Sequence, residues 1–221
     1  MEFIIMMIKF ILLNIFFLVI IHEIGHIIAG LMCGHKFSGL YCLFFCIIKE
    51  DGKWKIEKLS KDCRSIAIYS INSKDSSLLE YIFIIVAGSL SNIICGLFLI
   101  LSNDFLFYIT GYNCLICGIL NIFLCSKNSM SDGSKIMRSL NKRTRNYEIL
   151  DYNIAQRMIR ENNIILGDVE KLINSNIDYY MIKGCYYKSC LVDITENDKN
   201  ILIEKQSKIN IPSGLKCFQI V

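Results

Sequence analysis

The sequence predicts a mainly α-helical, polytopic membrane protein with three transmembrane helices, a β-hairpin between the first two, and a small cytoplasmic C-terminal region. Hydrophobic residues make up 53% of its 221 residues, and the mean hydropathy of +0.44 is too high for an ordinary soluble domain. Three apolar runs also reach the roughly 20 residues that a helix needs to cross a bilayer. The remaining segments are polar enough to lie in water.

The predicted spans are residues 10–33, 81–101 and 105–125. The first is too long for a secretory signal, whose apolar core has about 7–15 residues. We assign residues 1–134 to the membrane core and residues 135–221 to the C-terminal region. In that region, apolar spacing predicts helices over 152–162 and 168–177, and two apolar runs at 190–194 and 200–206 predict short strands.

Lysine and arginine predict the orientation of the spans. Eight of them lie within residues 36–80 and fifteen follow residue 126, whereas the turn at 102–104 has none. The positive-inside rule therefore predicts a multi-pass protein of the cell membrane, with the 36–80 loop and the C-terminus in the cytoplasm. The net charge of +4 fits loops beside anionic lipid. Because basic and acidic residues are interleaved, we expect no nucleic-acid partner.

Two extended runs flank Asp51 and Gly52 between the first two spans. An Asp-Gly pair favours the type I′ turn of a β-hairpin, since both central positions need positive φ. We therefore expect a hairpin at the cytoplasmic membrane surface. A structural connector and a strand that pairs with a bound peptide both remain open as its role.

The segment HEIGH places His22, Glu23 and His26 inside the first span. His22 and His26 lie four residues apart and so project from one helix face, which is the geometry for two imidazole ligands on one zinc ion. Glu23 would act as general base toward a water and then as acid toward a leaving amine. Ionisable residues in a span are costly and usually functional. Histidines satisfied by hydrogen bonds within the helix bundle are the alternative.

A zinc site of this kind needs a third protein ligand. His35 lies nine residues after His26, roughly 13 Å along a continuous helix, which is out of range. Asp132, just past the cytoplasmic end of the third span, is the better candidate if residues 126–133 fold back toward the membrane. Taken alone, Asp132 and Gly133 are also an ordinary turn signal. The C-x-x-C pair in the third span has no second pair beside it and is a weak metal signal.

Three segments resemble the site-2 protease family of intramembrane zinc metalloproteases. HEIGH at 22–26 resembles its H-E-x-G-H motif, AGSLSN at 87–92 its G-P-x-x-N segment, and NIFLCSKNSMSDG at 121–133 its N-x-x-P and D-G segment. The resemblance covers roughly residues 8–135, in the order of the family's three-helix core. Ser89 and Leu124 stand where the family usually has proline.

The resemblance implies a zinc metalloprotease with one zinc per chain. His22, His26 and Asp132 would bind the metal, Glu23 would be catalytic, and Asn92 would position substrate or polarise its carbonyl. The implied partner is a membrane-anchored protein or peptide that is cleaved within or next to its membrane segment, while oligomeric state is not predicted. A non-catalytic zinc-binding membrane protein, such as an immunity, sensor or scaffold protein, is the alternative.

Overall fold

A computed structural model describes residues 2–42, 45–50, 53–58, 68–71, 75–123, 131–161, 165–189 and 196–207. Among these residues, three helices are long and apolar enough to cross a membrane: Glu2–Met32, Leu78–Ile100 and Phe105–Phe123. Each of the three predicted spans therefore coincides with a helix that could cross a membrane. The first helix begins at Glu2 rather than at residue 10, because the apolar run continues to the N-terminus with only Lys9 interrupting it.

The first span changes its helical type along its length. An α-helix, α1 (Glu2–Asn14), continues as a π-helical segment (Ile15–Ile20) and then as α2 (Ile21–Met32). The Asn14 side chain donates to the Phe10 carbonyl at 2.8 Å and accepts from Asn113 of the third span at 2.9 Å. A π-helical turn holds extra residues, so it rotates the helix face that follows.

The end of the first span is a glycine cap. Gly34 has φ of +84°, a left-handed conformation that favours glycine. The amide of His35 donates to the Gly30 carbonyl at 2.9 Å, and the amide of Gly34 donates to the Leu31 carbonyl at 3.0 Å. These bonds are a Schellman motif, which stops the helix and turns the chain into the first strand.

The second and third spans, α3 (Leu78–Ile100) and α4 (Phe105–Phe123), pack closely, and α3 also packs against α2. Ser77 and Glu80 form a capping box at the start of α3. Gly96 and Gly111 face each other, because a Cβ on Gly96 would lie 2.8 Å from the Gly111 carbonyl oxygen. Small residues allow this approach between helices that lipid alone would not drive together.

The loop between the first two spans contains a four-stranded antiparallel sheet rather than an isolated pair of strands. The strands are β1 (Lys36–Cys42), β2 (Phe45–Glu50), β3 (Lys53–Lys58) and β4 (Ile68–Ile71), in the order β3-β2-β1-β4. Strands β2 and β3 pair on either side of the predicted hairpin turn, with Glu50 opposite Lys53. The turn residues Asp51 and Gly52 themselves lie outside the described residues.

Among the described residues after the spans there are five helices: α5 (Asp132–Leu140), α6 (Arg145–Glu161), α7 (Leu166–Ile173), α8 (Asp178–Ser189) and α9 (Glu196–Ser207). Helices α6 and α7 cover most of the two predicted helical stretches. The strand predicted at 200–206 is wrong, because those residues form part of α9 and Leu202 packs into the apolar cluster of this region. The strand predicted at 190–194 lies outside the described residues, and the domain boundary at residue 134 stays a prediction.

A buried polar cluster joins the C-terminal helices to the second span. The Glu148 carboxylate accepts hydrogen bonds from Arg138, Tyr81 and Tyr180, each at 2.7 Å. Glu148 is only 2% exposed. Burial by itself would raise the pKa of Glu148, but the hydrogen bond and charge of Arg138 hold it below its ordinary value. The side chains of α3, α5, α6 and α8 thus meet at one charged carboxylate.

We expect these helices to lose stability in acid. A carboxyl whose pKa is lowered by folding stabilises the fold above its unfolded-state pKa, and this contribution disappears as the pH falls through the folded-state pKa. For Glu148 the loss should therefore begin below about pH 4.5, its ordinary pKa. Thermal unfolding in detergent, followed by the near-ultraviolet circular dichroism of the buried tyrosines, measures the effect.

Two variants check that Glu148 carries this pH dependence. Glu148→Gln should be less stable at neutral pH by about 3–5 kcal/mol, because it removes the carboxylate charge that pairs with the buried Arg138, and its pH profile should be flatter. Glu170→Gln removes an exposed carboxylate 3.8 Å from Lys188 and should keep the native slope. Equal slopes in the native chain and in Glu148→Gln would contradict this assignment.

Candidate metal centre

The two histidines of α2 face the second span. His22 and His26 lie one helical turn apart, and their Nε2 atoms are 3.2 Å from each other. Their rings meet edge to face, with centroids 4.7 Å apart. Each side chain is partly buried, so both imidazoles present the same nitrogen to one small space inside the helix bundle.

The side chain of Asp132, the first residue of α5, lies in the same space. Its Oδ2 lies 3.1 Å from His22 Nε2 and 3.5 Å from His26 Nε2. Gly133 permits this approach: a Cβ at that position would lie 2.2 Å from the Ile122 carbonyl oxygen. The start of α5 therefore rests directly on the backbone at the end of α4. Gly133 itself is helical, so its role is close packing rather than a turn.

Among the described residues, these three form a group that could hold a metal ion. Their ligand atoms all lie within 4.8 Å of one another. A tetrahedral zinc ion bound at about 2.0–2.1 Å sets its ligand atoms about 3.3–3.4 Å apart. The observed separations of 3.1, 3.2 and 3.5 Å lie close to that spacing. Two imidazole nitrogens and one carboxylate oxygen are also a zinc donor set, so the residues fit this metal.

The surroundings of His26 orient its free nitrogen toward the group. Its Nδ1 lies 2.7 Å from the Ile84 carbonyl oxygen, which can only accept, so Nδ1 carries the proton. In the neutral ring the Nε2 lone pair then faces the other ligands. Gly88 leaves room for this ring, because a Cβ there would lie 2.3 Å from His26 Nε2.

Glu23 is buried beside the first histidine, with 7% of its surface exposed. Its carboxylate lies within electrostatic range of His22, Asp132 and Lys135. It is not one of the three clustered ligands. The carboxylate is thus next to the candidate site without being one of its ligands.

Asn92 lies behind His22 in a buried position, 3% exposed. Its Nδ2 donates to the Leu18 carbonyl at 3.1 Å and lies 3.5 Å from His22 Nδ1. Its buried Oδ1 has no hydrogen-bond partner in the described residues. Asn92 is thus next to the candidate site on the side of His22. Its role toward substrate stays a prediction.

His35 lies away from the cluster. It is buried just past the C-terminal end of α2, where its Nε2 lies 3.3 Å from the Ser76 hydroxyl. This agrees with its exclusion as a ligand by distance along the helix. In the third span, Cys114 is buried and Cys117 is exposed, and neither belongs to a metal-binding group among the residues that the structure describes.

Three residues around Asp132 were not anticipated as site residues. Asn121 Nδ2 donates to Asp132 Oδ2 at 2.9 Å, and the Ser89 hydroxyl donates to the same oxygen at 3.3 Å. Lys135 Nζ lies 3.7 Å from the other oxygen, Oδ1. Asn121 and Ser89 lie within the motif-like segments quoted above, whereas the i, i+3 spacing of Lys135 from Asp132 on α5 is the only sequence signal for it.

Comparison with known proteins identifies the family. A family model described as peptidase family M50 matches residues 10–185. The chain belongs to peptidase family M50. This is the site-2 protease family, so the resemblance noted in the sequence is confirmed. No curated protein and no solved structure shows significant similarity to the chain.

The match to family M50 extends beyond the segments that carry the motifs. It runs through all three apolar helices and then through α5, α6, α7 and most of α8. Family membership and the three apolar helices together make this a membrane protein of metallopeptidase ancestry. The C-terminal helices up to residue 185 are therefore part of the family's sequence and not an unrelated addition.

Proposed function

We propose that this M50 member is a zinc metalloprotease that hydrolyses a peptide bond within or next to a membrane segment of its substrate. The observation that carries the proposal is the convergence of His22, His26 and Asp132 within 4.8 Å, beside a buried glutamate, in a chain of this family. The family favours this activity over the non-catalytic zinc-binding alternative. The proposed substrate is a membrane-anchored protein or peptide.

His22 and His26 would hold the zinc through Nε2, and Asp132 would hold it through Oδ2. Bound there, one zinc ion would supply a Lewis acid that lowers the pKa of water and polarises a carbonyl. The Ile84 carbonyl fixes the His26 tautomer, and Asn121 and Ser89 bond to the aspartate. The ligands are thus oriented by groups on two other helices, α3 and α4.

Glu23 would move the proton. Its carboxylate takes a proton from the attacking water as the carbon–oxygen bond forms, and then delivers that proton to the nitrogen of the breaking peptide bond. Burial among apolar helices keeps bulk water from competing for this carboxylate. A substrate helix must unwind at the site, because a helical peptide bond keeps its carbonyl in the internal hydrogen-bond ladder.

We propose that the metal centre faces the cytoplasmic side of the membrane. The Lys and Arg bias supports three crossings of the cell membrane, with the sheet-containing loop and the C-terminal helices in the cytoplasm. The metal-binding group lies in the second half of the first apolar helix and at the start of α5, on the side of those segments. Cleavage is therefore proposed on the cytoplasmic side of the bilayer.

Metal removal and replacement test the proposed activity. Purified protein in detergent should cleave a model single-span peptide, lose that activity when zinc is stripped with a chelator, and regain it when one equivalent of zinc per chain is added. Mass spectrometry should place the cut within or next to the apolar segment. Cleavage that persists in the stripped protein, or cuts only in soluble tails, would contradict the proposal.

A further inference from the structure

Asp132 is held by a hydroxyl on the second span. Ser89 is fully buried on α3, with 0% of its surface exposed. Its Oγ lies 3.3 Å from Asp132 Oδ2, the oxygen that faces both histidines. A carboxylate accepts only, so the Ser89 hydroxyl is the donor in this bond.

Asn121 completes a ring of hydrogen bonds around this aspartate. Its Nδ2 donates to Ser89 Oγ at 3.1 Å and to Asp132 Oδ2 at 2.9 Å. The amide group has two N–H donors, so it satisfies both acceptors at once. The ring joins α3, α4 and α5. Close helix packing makes it possible, since a Cβ on Gly118 of α4 would lie 2.9 Å from the Ser89 carbonyl oxygen.

The residue type at position 89 departs from the family's motif. Ser89 stands where the site-2 proteases that the motif resembles usually have proline, and α3 runs through it as one helix from Leu78 to Ile100. A serine hydroxyl inside a helix commonly bonds back to the preceding turn. Here its bond to Asp132 leads away from its own helix and into the candidate metal centre.

We propose that Ser89 is a positioning residue that orients Asp132 for zinc binding in this chain. The inference rests on the proposed zinc site. Ser89 touches neither the metal position nor a substrate in this role; it acts through the carboxylate that it holds. Outer-shell hydrogen bonds of this kind typically change metal affinity by about 10–100-fold when they are removed.

Zinc affinity of the purified full chain, measured by competition with a coloured chelator, tests the proposal. Ser89→Ala should bind zinc about 10–100-fold more weakly than the native chain. Ser89→Thr, which keeps a hydroxyl, should retain most of the affinity. Ser91→Ala is the matched control, because Ser91 lies two residues away and its hydroxyl bonds to the Ile21 and Gly88 carbonyls and not to Asp132.

A spectroscopic measurement separates positioning from general damage. Cobalt(II) loaded in place of zinc reports ligand geometry through its visible absorption, and Ser89→Ala should change this spectrum while Ser91→Ala should not. Ser89→Gly removes the same hydroxyl and serves as a second hydroxyl-free variant. Native zinc affinity and a native cobalt spectrum in either hydroxyl-free variant would overturn the proposal.

The outcomes also distinguish this inference from the proposed function. A native chain that binds zinc but cleaves no peptide overturns the protease proposal, whereas the affinity comparison at Ser89 still stands. A native chain that cleaves peptide with a Ser89→Ala variant of unchanged affinity overturns only the positioning role. A native chain that binds no zinc overturns both.

Discussion

Glu23→Gln should lower the rate of peptide cleavage by about 10²–10⁴-fold while leaving zinc content unchanged. Glutamine has nearly the same size and fills the same buried position beside His22, but its amide cannot accept and return a proton at neutral pH. Glu23 is also outside the group of three clustered ligands, so its replacement should leave the metal in place. The measurement is cleavage of a single-span peptide at equal zinc content.

The comparison needs a glutamate elsewhere as its control. Glu170→Gln alters an exposed side chain on α7 and should cleave at the native rate. Inactivity in both variants would indicate damage to the fold and not loss of a proton carrier. Native activity in Glu23→Gln at full zinc occupancy would contradict the catalytic role, and with it the proposed protease mechanism.

Asp132→Asn should weaken zinc binding by more than about 100-fold, beyond the usual effect of an outer-shell change. A neutral amide oxygen is a weaker zinc ligand than a carboxylate, and the two histidines alone leave the metal short of the three protein ligands of a catalytic site. The amide also removes the negative charge that faces Lys135, whose Nζ lies 3.7 Å from Asp132 Oδ1. Cleavage should fall with zinc occupancy.

Zinc titration of the purified variant checks this expectation, with recovery of activity at high zinc as a second readout. Asp178→Asn is the control, since Asp178 is exposed in the first turn of α8 and should leave zinc affinity unchanged. If Asp132→Asn binds zinc as tightly as the native chain, the third ligand must be another group. The ligand set of His22, His26 and Asp132 would then be wrong.

Several features were predictable because they depend on local geometry. The spans follow from runs of apolar residues, and the shared face of His22 and His26 follows from helical spacing four residues apart. Apolar periodicity likewise indicated α6 and α7. Where a local signal misled, tertiary packing was the cause: the run at 200–206 has strand-like isoleucines, but it forms a helix whose Leu202 packs into the C-terminal apolar cluster.

Other features depend on contacts between distant residues. The sheet has four strands because β1 pairs with β4 across about thirty residues, placing Lys36 opposite Ile71. Such a register cannot be read from a local pattern. The charged cluster of Arg138 and Glu148 could likewise not be predicted from the sequence. Its other members, Tyr81 and Tyr180, come from two other helices.

The sequence by itself determined the three apolar helices, the pair of histidines and the adjacent glutamate, because each is a pattern within one continuous stretch of chain. Only the tertiary structure decided that Asp132 joins them. That step requires α5 to pack on the backbone of α4 at Gly133 and requires Ser89 and Asn121 to bond to the carboxylate. Those contacts join three helices, and no spacing along the chain encodes the distances between them.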